Sequence, residues 1–234
     1  YFFQSRWHYE GGWNEYGVRN STLDKLLDEF YYTLNMTTAR RALHRAQALL
    51  QDIVPWIPLA SPVGITAISG KLRGIVLQKA SGARYPAGAS WLSDLNTHFE
   101  GRPLGGMLRV AIGQPVGTLN PGTYLWSHEN SVLTYIYDFL TLTNPENADE
   151  QMPRLAETWA VEETELEPGV RGTRVTINLV RNASWQDGVP FTAYDVNFTI
   201  LKVGKEWRLF RYGTIEAILR TYRTLIPDPY TIII

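Results

Sequence analysis

The apolar residues of this chain repeat with two different periods, and the switch between them is the strongest constraint on its fold. Between residues 21 and 53 the spacing is three and four. Leu23, Leu26, Leu27 and Phe30 form one stripe, and Ala39, Ala42, Leu43, Ala46, Leu49, Leu50 and Ile53 form a second. Each is one face of an amphipathic helix. Asn20 and Ser21 stand before the first, with Ser21 and Asp24 at capping-box spacing, while Pro55 and Pro58 stop the second. Further along the spacing becomes two: Val175, Ile177 and Leu179 alternate with Arg174, Thr176 and Asn178, which describes a strand with one wet face. Both periods in one chain predict a mixed α/β fold.

The remaining elements follow from local signals. Residues 107–112 alternate as a strand, and Asn130 opens a helix over residues 131–140. Strands are also expected at residues 175–180 and 230–234. Asp187-Gly188 marks a turn, and Thr192 with Asp195 predicts a capped helix beginning at Ala193. A further helix is expected around residues 215–219, and short strands with turns over residues 63–77. Glu162, Glu163, Glu165 and Glu167 crowd one stretch without the ligand spacing of a calcium loop, so they read as a solvated face or hairpin tip. Asp24, Asp28 and Glu29 read as a charged outer face of the first helix. Residues 81–106 hold Gly82, Pro86, Gly88, Gly101, Pro103, Gly105 and Gly106, the composition of a junction, although Trp91, Leu95 and Phe99 also allow a short packed helix there.

Composition removes several function classes. Twenty-two basic residues face 23 acidic ones for a net charge of -1, so no broad field draws the chain to nucleic acid or anionic lipid. With no cysteine there is no thiol nucleophile, Cys-ligated zinc, iron-sulfur cluster or disulfide. The longest apolar run, residues 132–142, is interrupted by polar groups and is too short to cross a bilayer. The chain begins at Tyr1 rather than Met and is expected to be a processed or excised piece.

Catalytic signals are also missing. His8, His44, His98 and His128 are isolated, without metal-ligand spacing, and neither a Gly-x-Ser-x-Gly elbow nor a phosphate-binding Gly-rich loop occurs. The expectation is a protein that is not an enzyme and uses no metal or cofactor. His44 reads as a surface or boundary residue, and His128-Glu129 as either a ligand-orienting or a solvated pair. Aromatic residues carry the richer signal. Tyr124 and Trp126 follow Thr118-Leu119-Asn120-Pro121-Gly122 in a loop, where wide faces and an amide together suit a small polar solute. Asn120, Tyr124 and Trp126 are the candidate ligand-binding residues, with packing of Trp126 into a core or lid as the alternative. Trp185, ahead of the Asp187-Gly188 turn, reads as its anchor.

The stretch Leu179-Val180-Arg181-Asn182-Ala183-Ser184-Trp185-Gln186-Asp187-Gly188-Val189-Pro190-Phe191-Thr192-Ala193-Tyr194-Asp195-Val196 closely resembles the signature of the extracellular solute-binding proteins, family 5, of dipeptide and oligopeptide ABC transporters. Gly105-Gly106-Met107-Leu108-Arg109-Val110-Ala111 resembles that family's mature N-terminal strand. Thr118-Leu119-Asn120-Pro121 resembles its following loop, and Pro153-Arg154-Leu155-Ala156-Glu157-Thr158-Trp159 its Pro-x-Leu-Ala-Glu-x-Trp segment. Residues 12–77 instead resemble the family's other end, through Asn20-Ser21-Thr22-Leu23-Asp24-Lys25-Leu26-Leu27-Asp28-Glu29 and the helix leading to Ile57-Pro58-Leu59.

The resemblance therefore divides the chain into a C-terminal-like segment (1–80), a linker or junction (81–104) and an N-terminal-like lobe segment (105–234). It implies a partial type II periplasmic-binding-protein-like fold, incomplete or permuted relative to the family. It further implies non-covalent binding of a peptide or oligosaccharide and delivery to an ABC transporter permease in the membrane, with no nucleic-acid partner. The alternative is a structural or protein-interaction segment derived from the same fold. An extracellular, periplasmic or cell-surface location follows from the resemblance, and four glycosylation sequons beginning at Asn20, Asn35, Asn182 and Asn197 agree with it.

Overall fold

A computed structural model describes residues 2–9, 14–60, 67–75, 96–102, 104–107, 109–112, 114–124, 127–144, 147, 150–206, 221 and 223–234. Helix and sheet are both present, as the two apolar periods require, and the chain separates into two compact units, Tyr1–Gly64 and Ile65–Ile234.

The first unit is built on α1 (Ser21–Tyr32) and α2 (Met36–Ile53). The cap of α1 is Asn20, one residue earlier than a Ser21 capping box would put it. Asn20 Oδ1 accepts the amides of Thr22 and Leu23, both at 3.0 Å. Asn35 Oδ1 caps α2 by accepting from the Thr38 amide at 3.0 Å. Helix α2 ends at Val54, whose φ of +48° is left-handed, directly before Pro55, which disfavours continued helix. Leu23, Leu26 and Ala46 are buried together with Val18, and Leu27, Leu49, Leu50 and Ile53 pack around them.

Asp24 and Asp28 on the charged face of α1 are half-buried and hydrogen-bonded, while Glu29 is exposed. Asp24 Oδ1 accepts the Ser5 amide at 2.8 Å, and Asp28 Oδ1 takes Gln4 Nε2 at 3.0 Å and Arg6 at 3.1 Å. The N-terminal segment brings its own donors to this face, which helix periodicity alone does not reveal. Buried Asn14 is fully engaged: its amide nitrogen donates to the carbonyls of Gln4 and Val18, and its oxygen accepts the Val18 amide. Phe3, Tyr16 and Trp56 form an aromatic cluster with centroids 4.9–5.8 Å apart. Trp13 lies outside the described residues.

In the second unit, β1 (Leu72–Arg73) pairs antiparallel with β2 (His98–Phe99), so one strand of a short ladder lies within the expected junction. Trp91 and Leu95 lie outside the described residues. Strands β3 (Thr141–Thr143) and β4 (Gln151–Pro153) form a second small ladder.

The main sheet contains β5 (Ala156–Glu167), β6 (Val170–Leu179), β7 (Leu225–Asp228) and β8 (Thr231–Ile233), in the order β5-β6-β8-β7 and antiparallel throughout. The alternation read from residues 174–179 holds. Ile177 and Leu179 are buried on one face, while Asn178 on the other donates to Thr158 Oγ1 at 2.9 Å and Arg174 pairs with Glu162 at 3.6 Å. Register places Ile177 opposite Ile232, and backbone pairs at Leu179–Tyr230 and Val175–Ile234 extend the ladder over the predicted 230–234 span. The glutamate-rich stretch forms the outer part of the β5–β6 hairpin, which turns at Gly169 with φ +80°.

Helix α4 (Ala193–Asn197) covers the apolar face of this sheet with Ala193 and Val196. Thr192 and Asp195 form the predicted capping box: Asp195 Oδ2 accepts the Thr192 amide at 2.7 Å and the Thr192 hydroxyl at 3.1 Å. Beyond Asn197 the helix widens to a π-helical stretch, Phe198–Glu206. At its start Thr199 Oγ1 donates back to the Asp195 carbonyl at 2.9 Å, a side-chain bond that competes with the regular backbone ladder. The expected helix at 215–219 lies outside the described residues.

Two expected elements fail. Residues 107, 109, 110, 111 and 112 adopt no strand, and Met107 is 72% exposed. Alternation describes a strand only where another strand takes up its backbone groups, and no ladder partner reaches these residues among those described. The helix expected at 131–140 is instead α3 (Ser127–Leu133), followed by a turn through Ile136. Asn130 lies inside it, because the chain enters the helix through Ser127 and His128, while Phe139 and Leu140 pair with residues 154–156.

Candidate functional site

The loop over residues 114–124 carries two of the three candidate ligand contacts, and its shape is set by side chains within it and on α3. Asn120 closes a turn. Its Oδ1 accepts the Gly122 amide at 2.8 Å, and its carbonyl accepts the amides of Thr123 and Tyr124, both at 3.2 Å. The Asn120 amide donates to Thr118 Oγ1 at 3.1 Å. The side-chain oxygen is thus committed to the turn, and Nδ2 of this exposed residue is the group left to donate outward. Tyr124 is half-buried at the end of the turn. Trp126 lies outside the described residues.

Glu129 is the residue that sequence reasoning undervalued. It is 4% exposed, and its Oε1 accepts the backbone amides of Gly117 and Thr118 at 3.1 and 3.2 Å. Beside it, His128 Nε2 donates to the Pro115 carbonyl at 3.1 Å, since a carbonyl oxygen can only accept. The His128-Glu129 pair therefore clamps the loop to α3; Glu129 is neither a solvated residue nor one presented outward to a ligand. A Cβ at Gly117 would stand 2.9 Å from Glu129 Oε1, so a side chain there would displace the carboxyl group. A dipeptide His-Glu ahead of an apolar helix gives no sign of this, since its partners are backbone groups 11–13 residues earlier.

Chemically, the loop offers a half-buried phenol, an exposed amide donor and a hydrogen-bonded backbone. These are groups for hydrogen bonding and ring contact. Among the described residues, no group of three or more His, Cys, Asp or Glu side chains is placed to hold a metal ion.

The signature stretch is also ordered. The Trp185 amide donates to the Val189 carbonyl at 2.8 Å, and Gly188, at φ +86°, donates to the Trp185 carbonyl at 2.9 Å. Trp185 packs edge-on against Phe191 with centroids 6.1 Å apart, in keeping with its reading as the anchor of this turn. Arg181 lies over the Tyr230 ring at 4.8 Å, joining the end of β6 to β8. Comparison with protein-family models, curated proteins and solved structures returns no match for this chain.

Proposed function

We propose that this chain belongs to a solute-capture system of the type II periplasmic-binding kind, in which a peptide or oligosaccharide is held non-covalently and passed to an ABC transporter permease. In this reading the loop over residues 114–124 forms one wall of the ligand site. Tyr124 and Trp126 provide ring faces, and Asn120 Nδ2 provides a directional donor.

The observation that carries the reading is the coincidence of a hydrogen-bonded loop with the residue types chosen for recognition. Glu129 and the Asn120 turn hold the backbone so that contacts formed with a solute need not first order the loop. The resemblance over Leu179–Val196 supplies the substrate class, and the capping box and turn within that stretch give it a defined local structure.

Thermal unfolding of the 234-residue chain with trialanine or maltotriose at millimolar concentration tests this. Binding to the native state alone raises the midpoint in proportion to the logarithm of ligand concentration. A rise with either solute that Tyr124→Ala removes supports the proposal. An unchanged midpoint with both favours the structural or protein-interaction alternative.

A further inference from the structure

The even charge balance of the chain conceals a concentrated basic face on α2. The buried side of this helix is Ala39, Ala42 and Ala46. At about 100° per residue, Thr37, Arg41 and His44 lie within about 50° of the direction opposite that stripe, with Arg40 on one flank and Arg45 on the other. All five are exposed and together line a shallow groove. The one acid of α2 is Asp52, about two turns beyond Arg45. Of the acids on α1, Asp24 binds the Ser5 amide and Asp28 binds Gln4 and Arg6, while Glu29 is exposed. Among the described residues neither Arg41 nor Arg45 has an ion-pair partner. Arg41 and Arg45 stand at i and i+4, a like-charge spacing that opposes helix formation.

Large apolar residues are exposed at both ends of the same helix. Leu34 and Met36 precede or begin it, and Ile57 and Leu59 follow it, with Leu59 93% exposed. A nucleic acid offers nothing to such aliphatic tips, whereas a bilayer interface accepts them while its headgroups neutralise the arginines. We propose that the outward face of α2 is a docking surface for membranes containing anionic phospholipid. Arg41 and Arg45 contact the headgroup phosphates, and the flanking apolar residues reach the acyl boundary. A net charge of -1 does not oppose this, because screening confines the relevant field to roughly 8–10 Å.

Sedimentation of the full chain with vesicles provides the test. The expected result is binding to phosphatidylcholine vesicles containing roughly one third phosphatidylglycerol at low salt, with loss at high salt and no binding to pure phosphatidylcholine. Arg41→Gln and Arg45→Gln should each lower the partition coefficient about fivefold, and the double Lys variant should retain it. Leu59→Ser should weaken binding further, which a site for free phosphate does not predict. Equal binding to both vesicle types, wild-type binding by the Gln variants, or full displacement by millimolar inorganic phosphate would each overturn the proposal. If the double Gln variant loses its helical circular dichroism, Arg45→Glu alone decides: abolished binding with an intact spectrum supports the α2 face, and undiminished binding contradicts it.

Discussion

Glu129 accepts the backbone amide of Gly117 at 3.1 Å from a side chain that is 4% exposed, so a buried carboxylate holds a loop that contains no regular secondary structure. The same oxygen takes the Thr118 amide. Glu129→Ala leaves both donors without this acceptor and is expected to cost about 1–3 kcal/mol, the range for a buried polar group left unsatisfied. Glu129→Gln keeps an oxygen acceptor and should cost less. Denaturant unfolding of the two variants checks the order, and equal stability of Glu129→Ala and wild type would remove the clamp from the account.

The Thr192–Asp195 cap should contribute a typical amount. Thr192→Ala is expected to lower stability by about 1 kcal/mol, measured as a shift in urea midpoint at constant slope. No shift would mean that the Asp195 bond to the Thr192 backbone amide is sufficient by itself.

Across β6 and β8, Ile177 faces Ile232, which is completely buried. Ile232→Ala should cost about 2–5 kcal/mol through lost burial and the cavity left behind. Trp159, opposite Ile177 on β5 but 37% exposed, should cost less when truncated despite its size. A larger loss at Trp159 would place the centre of the core on the wrong strand.

Asp228 should titrate below its ordinary value of 3.8, chiefly because its carboxylate accepts the Tyr230 amide at 2.8 Å, with Thr231 and the Arg181 charge acting in the same direction. A carboxyl whose folded value is depressed adds stability above its unfolded value, and that contribution is lost as pH falls through the folded value. Stability should therefore fall less on acidification in Asp228→Asn than in wild type. Carboxyl carbon shifts followed by NMR test the direction, and a midpoint at or above 3.8 contradicts it.

Where structure depends on neighbours close in sequence, the chain was readable. The alternation at Val175, Ile177 and Leu179, the cap at Thr192 and the two helical stripes each carry their own period or spacing. Legibility stopped where a distant segment decides the outcome. The partners of Asp24 and Asp28, which are Ser5, Gln4 and Arg6, lie 19–24 residues earlier, and periodicity contains no information about them. Met107 and Val110 had strand spacing but no strand beside them among the described residues. At the candidate site, Asn120 and Tyr124 were visible from residue type and loop position. The roles of Glu129 and Gly117 arise only when residues about a dozen positions apart meet.

The central claim, that residues 114–124 form a solute-facing wall, is tested most directly by amide NMR of the 234-residue chain titrated with trialanine and with maltotriose. The account predicts saturable shifts for at least one solute at Gly117, Thr118, Asn120, Gly122 and Tyr124, reduced severalfold in affinity by Tyr124→Ala, while amides of β6 and β8 stay in place. Shifts confined to other parts of the chain, or none with either solute at millimolar concentration, would contradict it.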